Sequence, residues 1–326
     1  MLSYDELLQR TDAPPGSSWG LFGDGDELGT LNFISPETVT RAAGLVRRGA
    51  VFNLDIAADA FDPSVTHRGA PAHTIFSNAP YHRDDYVDNF YLQASSQIDG
   101  LRHFSHPAHG FYNGVPDEAI AVGSPTLGIN RIAERGLVGR GVLIDIADHF
   151  AATGAPLDHA NGAAFTVDDI EAAAARQGVQ FEAGDILLLR TGWLEYALGL
   201  DDESRADMRR SPWSIGLAQS ADSVRWLWDQ RIALVASDNL GVEHLPTDPA
   251  SPFRADPSMA SLTGHHAGMM HPVLIGLLGM PIGEMWALDE LAADCRADGV
   301  WEFLLTSHPL NITGGVGSPA NALAIK

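Results

Sequence analysis

One short segment of this 326-residue chain holds its densest group of side chains that could do chemistry. The segment contains Gln93, Gln97 and Asp99, and a histidine, His103, follows the carboxylate four positions later. Alternate side chains of an extended strand share one face, so Ser95 would point the same way as the two glutamines and the carboxylate. Buried polar groups need partners. A metal ion, a bound substrate or an internal hydrogen-bond network would each provide them, and the residue types alone leave these three open.

A second group of metal-ligating residue types lies far along the chain. His265 and His266 precede His271, and Glu284 follows in the next predicted element. The separation of His271 from Glu284 is too long for one helical face, but it suits a loop with a helix or a pair of strands. The alternative is that the first two histidines lie in a loop and that Glu284 caps a helix beginning at Met285, because acidic residues favour helix starts.

Several other kinds of catalytic site are excluded by the absence of their motifs. The chain has no GxSxG elbow and no GxxxxGKS loop. The glycine-rich run 314–317 lies too near the end for a dinucleotide-binding unit. The single cysteine, Cys295, rules out zinc ribbons and iron–sulfur clusters and favours a reducing compartment. We expect this cysteine to pack in the core.

Composition narrows the range of partners. Hydrophobic residues make up 45% of the chain and the formal net charge is −22. So acidic a surface repels nucleic-acid phosphates and anionic lipid. The polar N-terminus lacks the features of a secretory signal, and no run approaches the ~20 apolar residues that span a bilayer. We therefore expect a cytoplasmic protein with a small-molecule partner.

Strand-like and helix-like segments alternate, which favours an α/β fold in a single domain, residues 1–326. The predicted strands are 51–57, 89–99, 141–147, 184–193 and 232–239, and the predicted helices are 36–48, 166–178, 220–231, 266–279 and 285–299. The elements are too few and irregular for a (β/α)₈ barrel. Long loops near 58–90, 105–125 and 240–264 are expected to shape the substrate pocket.

The sequence resembles the cyclase-like metal hydrolase family that includes bacterial kynurenine formamidase and isatin hydrolase. The signature of this family is His-x-Gly-Thr-His-x-Asp-x-Pro-x-His-Phe, and residues 93–104 match it in register at Asp99, His103 and Phe104. A larger branch, often called putative cyclases, carries SSQxDGxxH here, as this chain does. Further blocks that resemble the family lie in order at 140–149, 184–193, 235–243, 271–292 and 308–325.

The resemblance implies a cyclase-like, swivelling β/β/α fold, with a mixed sheet or barrel-like β core flanked by helices, and a homodimer or homotetramer. It also implies that Asp99 is the central metal ligand, that His103 is the general acid/base, and that His271 and Glu284 are the later ligand pair. The two remaining metal-binding histidines of the family correspond to Gln93 and Gln97.

A glutamine oxygen is a poor zinc ligand compared with imidazole. The resemblance is therefore compatible with one divalent ion (Mn²⁺, Zn²⁺ or Mg²⁺) or with none, and the glutamine amides become candidates for binding substrate. Ser96, Trp193 and Phe104 are further candidates for substrate binding.

Three functions are compatible with these residues. The first is a hydrolase, of the arylformamidase or cyclic amidase type, that opens an amide, lactam, lactone or ester of a small cyclic or aromatic metabolite. The second is a metal-independent cyclase, dehydratase or lyase that uses His103 and Asp99 for acid–base chemistry, with the glutamines holding an oxyanion. The third is a non-catalytic binding protein for small molecules.

Overall fold

The computed structural model describes residues 1–62 and 64–326, and its centre is one nine-stranded mixed sheet. The strands are β1 (Val51–Asn53), β2 (Ala72–Ala79), β3 (His82–Asp88), β4 (Gln97–Asp99), β5 (Leu137–Asp145), β6 (Ala164–Phe165), β7 (Ile186–Arg190), β8 (Gly216–Leu217), β9 (Leu234–Ser237), β10 (Ile282–Glu284), β11 (Glu302–Ser307), β12 (Gly317–Pro319) and β13 (Ala322–Ile325). The α-helices are α1 (Tyr4–Leu8), α2 (Pro36–Ala43), α3 (Asn130–Arg135), α4 (Ile146–Ala152), α5 (Val167–Gln177), α6 (Trp193–Leu198), α7 (Asp202–Arg210), α8 (Ala221–Asp229), α9 (Pro252–Ala255) and α10 (Asp289–Asp298).

The order of strands in this sheet is β1-β13-β11-β5-β7-β9-β10-β4-β12. The four central strands β5, β7, β9 and β10 are parallel, and all the other neighbours are antiparallel. Parallel strands are covered on both faces and read as continuous apolar runs. The run Ile186–Leu189 is of this kind, and all four of its side chains are fully buried. The predicted α/β fold with a mixed sheet flanked by helices is confirmed.

Capping residues explain where several helices begin and end. Thr166 accepts a hydrogen bond from the Asp169 amide at the start of α5, and Gly178 ends this helix in the left-handed conformation. Ser35 caps α2, but α2 ends at Ala43 instead of continuing to residue 48, the predicted end. Beyond the helix, the amides of residues 48 and 50 donate to the Lys326 carbonyl.

Two predicted elements around the candidate residues are wrong in extent. The strand predicted over 89–99 is confined to Gln97–Asp99, because residues 92–96 form turns and bends. The helix predicted over 266–279 is a π-helix over Pro272–Leu277, preceded by a separate 3₁₀ turn at 264–266. Pro272 lies in its first turn, where a missing amide hydrogen costs nothing.

The helix predicted to start at Met285 begins instead at Asp289. Met285 has a φ of 54°. Its amide donates to the carbonyl of Asn239, which lies two residues beyond the end of β9. Glu284 belongs to strand β10, so the alternative in which it caps a helix is wrong.

The predicted loop 58–90 contains a two-stranded hairpin of β2 and β3. The other two predicted loops contain short helical turns, isolated β-bridges and α9. Among residues 1–62 and 64–326, no helix combines the length and apolar character needed to cross a bilayer.

The close approach of β10 to β9 depends on a residue without a side chain. A methyl group added to Gly283 would lie 2.5 Å from the Ala236 Cβ and 2.8 Å from the Trp286 Nε1. We expect Gly283→Ala to lower the free energy of unfolding by about 1–3 kcal/mol in urea titrations, because it overpacks this contact. Gly25, whose added methyl meets nothing within 4 Å, is the matched control. Equal stability of the Gly283→Ala and Gly25→Ala variants would contradict this interpretation.

Candidate metal centre and active site

The register of two short strands creates the site. Strand β4 pairs antiparallel with β10, so Gln97 lies directly opposite Glu284. Residues paired in this way share a face of the sheet, and Asp99 shares it too because it lies two residues after Gln97. The Gln97 Nε2 donates to Glu284 Oε2 over 2.6 Å. One face at the end of the sheet therefore carries two carboxylates and an amide.

His271 completes this arrangement from the other side. It immediately precedes the π-helix, and its Nε2 lies 3.1 Å from Glu284 Oε1. Candidate ligand atoms of Asp99, His271 and Glu284 all lie within 4.8 Å of one another. These residues are 0%, 2% and 5% exposed, respectively. Two segments separated by about 170 residues thus meet in one buried cluster.

A third carboxylate, Glu243, holds His271 in place. Glu243 is fully buried, and its Oε1 lies 2.5 Å from His271 Nδ1. It also accepts hydrogen bonds from the backbone amides of Met270 and His271. A carboxylate on the far nitrogen of a histidine fixes the orientation of the ring and makes the near nitrogen a better ligand.

The electrostatics of the cluster are dominated by buried negative charge. Burial raises the pKa of Asp99; His103 opposes this effect and Glu284 adds to it. Burial alone would lower the pKa of His271, but the hydrogen bonds and charges of Glu243 and Glu284 raise it well above its ordinary value. The cluster therefore gathers three buried carboxyl groups around a single imidazole.

His103 lies on the solvent side of this cluster, with a side chain that is 20% exposed. Its Nε2 is 3.5 Å from Asp99 Oδ2. The Gln93 Nε2 donates to Asp99 Oδ1 and lies 3.2 Å from His103 Nδ1. An amide nitrogen can only donate, so Nδ1 is the acceptor and the neutral ring carries its proton on Nε2. Gly317 makes room for Gln93, because a methyl there would lie 2.8 Å from the Gln93 side chain.

The three remaining predicted site residues, Phe104, Ser96 and Trp193, make different kinds of contact. The Phe104 ring packs against the rings of His103 and His271, at centroid distances of 4.9 and 5.2 Å. Ser96 instead holds the backbone, since its hydroxyl donates to the Met285 carbonyl and accepts from an amide. Trp193 is fully buried in a hydrophobic cluster that also contains Met285. Substrate binding by these three residues stays a prediction.

The donor set fits a divalent metal ion. Two carboxylates and an imidazole are ligands that such ions accept. Asp99 Oδ2 and Gln97 Oε1 are buried oxygens without a hydrogen-bond partner among the described residues. Unsatisfied buried oxygens are costly, and coordination would satisfy them. Asp99, His271 and Glu284 are thus the residues that would hold the ion, and Gln97 is a fourth, neutral oxygen donor nearby.

Comparisons with known proteins place the chain in a family. A family model described as "Putative cyclase" matches residues 59–244, more than half of the chain. The chain belongs to this putative cyclase family. A solved structure described as a novel cyclase is 36% identical, with a TM-score of 0.80, over 95% of this chain and 99% of that one. A search of curated proteins found no match.

Other members of the cyclase fold are more distant. Isatin hydrolase A from Labrenzia aggregata is 20% identical with a TM-score of 0.58, over 87% of this chain and 94% of its own. Isatin hydrolase A from Ralstonia solanacearum is 18% identical with the same TM-score, over 88% and 94%. At these identities the comparison shows a shared fold. The fold implied by the sequence resemblance is thereby confirmed.

Sequence reasoning missed one member of the site, Glu243. Glu243 closes a block that resembles the family, but nothing in the sequence shows that it faces His271. His266, which the sequence placed in the second histidine group with a loop position as the alternative, packs its ring on Phe104 at a centroid distance of 5.6 Å.

The protonation of His271 can be tested directly. In chelator-treated protein we expect nitrogen chemical shifts of a doubly protonated ring at pH 7–8, because both ring nitrogens face carboxylates. A raised pKa stabilises the folded state fully below the unfolded value of about 6.5. This stabilisation is lost as the pH rises through the folded pKa. A neutral His271 tautomer at pH 7 in the chelator-treated protein would contradict the description of this charge cluster.

Proposed function

We propose that this chain is a metal-assisted hydrolase that opens a C–N or C–O bond in a small cyclic or aromatic amide, lactam, lactone or ester. The observation that carries the proposal is the buried cluster of Asp99, His271 and Glu284 beside a partly exposed histidine. Membership in the cyclase family and the fold shared with isatin hydrolases support it. The finer assignment to an arylformamidase or cyclic amidase rests on the sequence resemblance.

The position of each residue in the site indicates its role in the proposed reaction. The chemistry that a divalent ion supplies when bound here is Lewis acidity towards a carbonyl and acidification of water. Glu243 keeps the imidazole of His271 oriented, with Nε2 directed at Glu284. Gln93 keeps the proton of a neutral His103 on Nε2. This tautomer places a hydrogen-bond donor at Nε2 that can hold a substrate oxygen, and the partial exposure of the ring gives a substrate access to it.

The metal-independent alternative has less support from the geometry. It requires the amide groups of Gln93 and Gln97 to hold a substrate oxyanion. Both hydrogens of the Gln93 amide are already directed at Asp99 and His103, and Gln97 donates to Glu284. The amide groups of both glutamines are therefore already engaged in hydrogen bonds within the site. Chelation separates the two functions, since turnover that survives EDTA would favour the alternative.

Metal binding can be measured without knowing the substrate. In calorimetric titrations of chelator-treated protein with Mn²⁺ and Zn²⁺, we expect one ion per chain. Glu284→Gln removes a ligand and should abolish this binding. Glu243→Gln keeps the ligands but loses the orienting carboxylate, and should weaken binding by about 10–100-fold. The exposed acid Glu195, changed to Gln, is the matched control. Binding of equal strength in all three variants would contradict the assigned ligands.

The role of His103 is tested by truncation. On a panel of aryl amides, lactams, lactones and esters, we expect His103→Ala to lower kcat by about 10²–10⁴-fold, as for other general acids. Metal affinity should be retained, because His103 lies outside the ligand cluster. His109→Ala, at an exposed histidine, should be active. Full activity of His103→Ala would remove this residue from the mechanism. Substrate binding without turnover in the unaltered chain would favour the binding-protein alternative.

A further inference from the structure

Imidazole rings line the site on the solvent side of the metal cluster. The Phe104 ring packs against three of them, at centroid distances of 4.9 Å from His103, 5.2 Å from His271 and 5.6 Å from His266. His265 lies against His266 at a centroid distance of 4.0 Å. His271 is buried, His266 is half-buried and His265 is exposed. The rings therefore form a continuous series from the buried cluster to the surface.

The outer imidazoles differ from the inner ones in their partners. His271 and His103 lie beside carboxylates. The ring of His266 has no hydrogen-bond partner in the described part of the chain, and its pKa is lowered by burial and then by four other histidines, His265, His271, His103 and His67. His67 thus lies near His266, although about 200 residues separate them. This acidic chain therefore leaves a group of imidazoles without an acid beside them.

A permanent positive charge lies next to this group. Arg68 follows His67 and is half-buried. Its Nη1 donates to the Gln93 carbonyl over 2.7 Å, and the Gln93 side chain contacts both Asp99 and His103. Among residues 1–62 and 64–326 no carboxylate pairs with this guanidinium, and the bond to Gln93 uses only one of its five N–H donors. Arg68 therefore keeps donors and a positive charge for a ligand.

We propose that Arg68, His67 and His266 form a subsite that binds a carboxylate group of the substrate. The substrate class is then a small aromatic or cyclic amide or ester that carries a carboxylate besides the bond that is opened, and this statement rests on the proposed hydrolase function. A guanidinium holds a carboxylate through two parallel hydrogen bonds, and imidazole N–H groups add further donors. One permanent positive charge matches a singly charged carboxylate better than a doubly charged phosphate, which the net charge of −22 repels more strongly.

The carboxylate subsite is connected to the reacting groups through two residues. The Phe104 ring contacts both His266 and His271, so it lies between the subsite and the metal cluster. It offers a flat apolar surface to an aromatic ring of the substrate. Arg68 holds the backbone of Gln93, whose side chain contacts His103. A substrate anchored by its carboxylate therefore has its ring along Phe104 and the bond that is opened near His103.

Binding of matched ligands tests the subsite without turnover. We titrate the isolated full chain in a calorimeter with a panel of aryl carboxylates and their neutral counterparts, such as para-acetamidobenzoate and acetanilide. We expect the carboxylates to bind about tenfold more tightly or better, because hydrogen bonds to a charged group are worth at least that factor. Arg68→Gln should remove this preference and Arg68→Lys should keep part of it. Arg47→Gln, at an exposed arginine, is the matched control and should leave the preference unchanged.

The comparison of charged and neutral ligands separates recognition from structural support. If Arg68 only held the Gln93 backbone, Arg68→Gln would weaken both kinds of ligand equally, and this result would overturn the proposal. His266→Gln leaves that backbone contact intact and should still lower the preference severalfold. A preference that Arg68→Gln retains and chelation removes would assign the carboxylate to the metal ion and overturn the subsite.

Two further results would also overturn the subsite. One is the absence of a preference for any carboxylate of the panel. The other is a second Zn²⁺ per chain that His266→Gln loses, because the outer imidazoles would then bind a metal. The proposed hydrolase is judged separately. An inactive chain with a preference that depends on Arg68 would keep the subsite and lose the hydrolase, and an active chain without the preference would do the reverse.

Discussion

The structure around the site depends on a concentration of buried negative charge. Asp99, Glu243 and Glu284 lie together in the interior with one imidazole, His271, between two of them. Burying several like charges is expensive unless protons, hydrogen bonds or a cation offset the cost. Glu243 is satisfied by backbone amides and by His271. Asp99 Oδ2 has no such partner among the described residues. The remaining imbalance is the physical reason to expect a divalent ion.

Strand pairing and the π-helix position these groups close together, although like charges among the carboxylates repel one another. The strand that carries Asp99 lies between β10 and β12, and its register places Gln97 opposite Glu284. The π-helix begins directly after His271, and Glu243 accepts the amides at its start. π-Helical turns often occur at functional sites because they place a side chain where an α-helix would not. The π-helical irregularity thus lies where the charged groups meet.

The sequence predicted the fold class and the members of the cluster. It predicted less well the extent of the elements that carry them and the residues that surround them. Asp99, His271 and Glu284 were found from residue types and family resemblance, and the structure brings them together. The strand over 89–99 was overextended because alternating polarity alone cannot show that residues 92–96 turn. Glu243 was missed because its partner, His271, becomes a neighbour only through tertiary packing. Glu284 was open to two interpretations, and only the pairing of β10 decides between them.

The central claim is that a divalent ion neutralises this cluster and is held by Asp99, His271 and Glu284. Anomalous diffraction from crystals grown with Mn²⁺ tests it most directly. The account predicts one anomalous peak per chain, at about 2.0–2.5 Å from the oxygens of both carboxylates and from Nε2 of the histidine. A cluster without a peak, in which His271 still bridges Glu243 and Glu284, would contradict it, and so would a peak bound elsewhere.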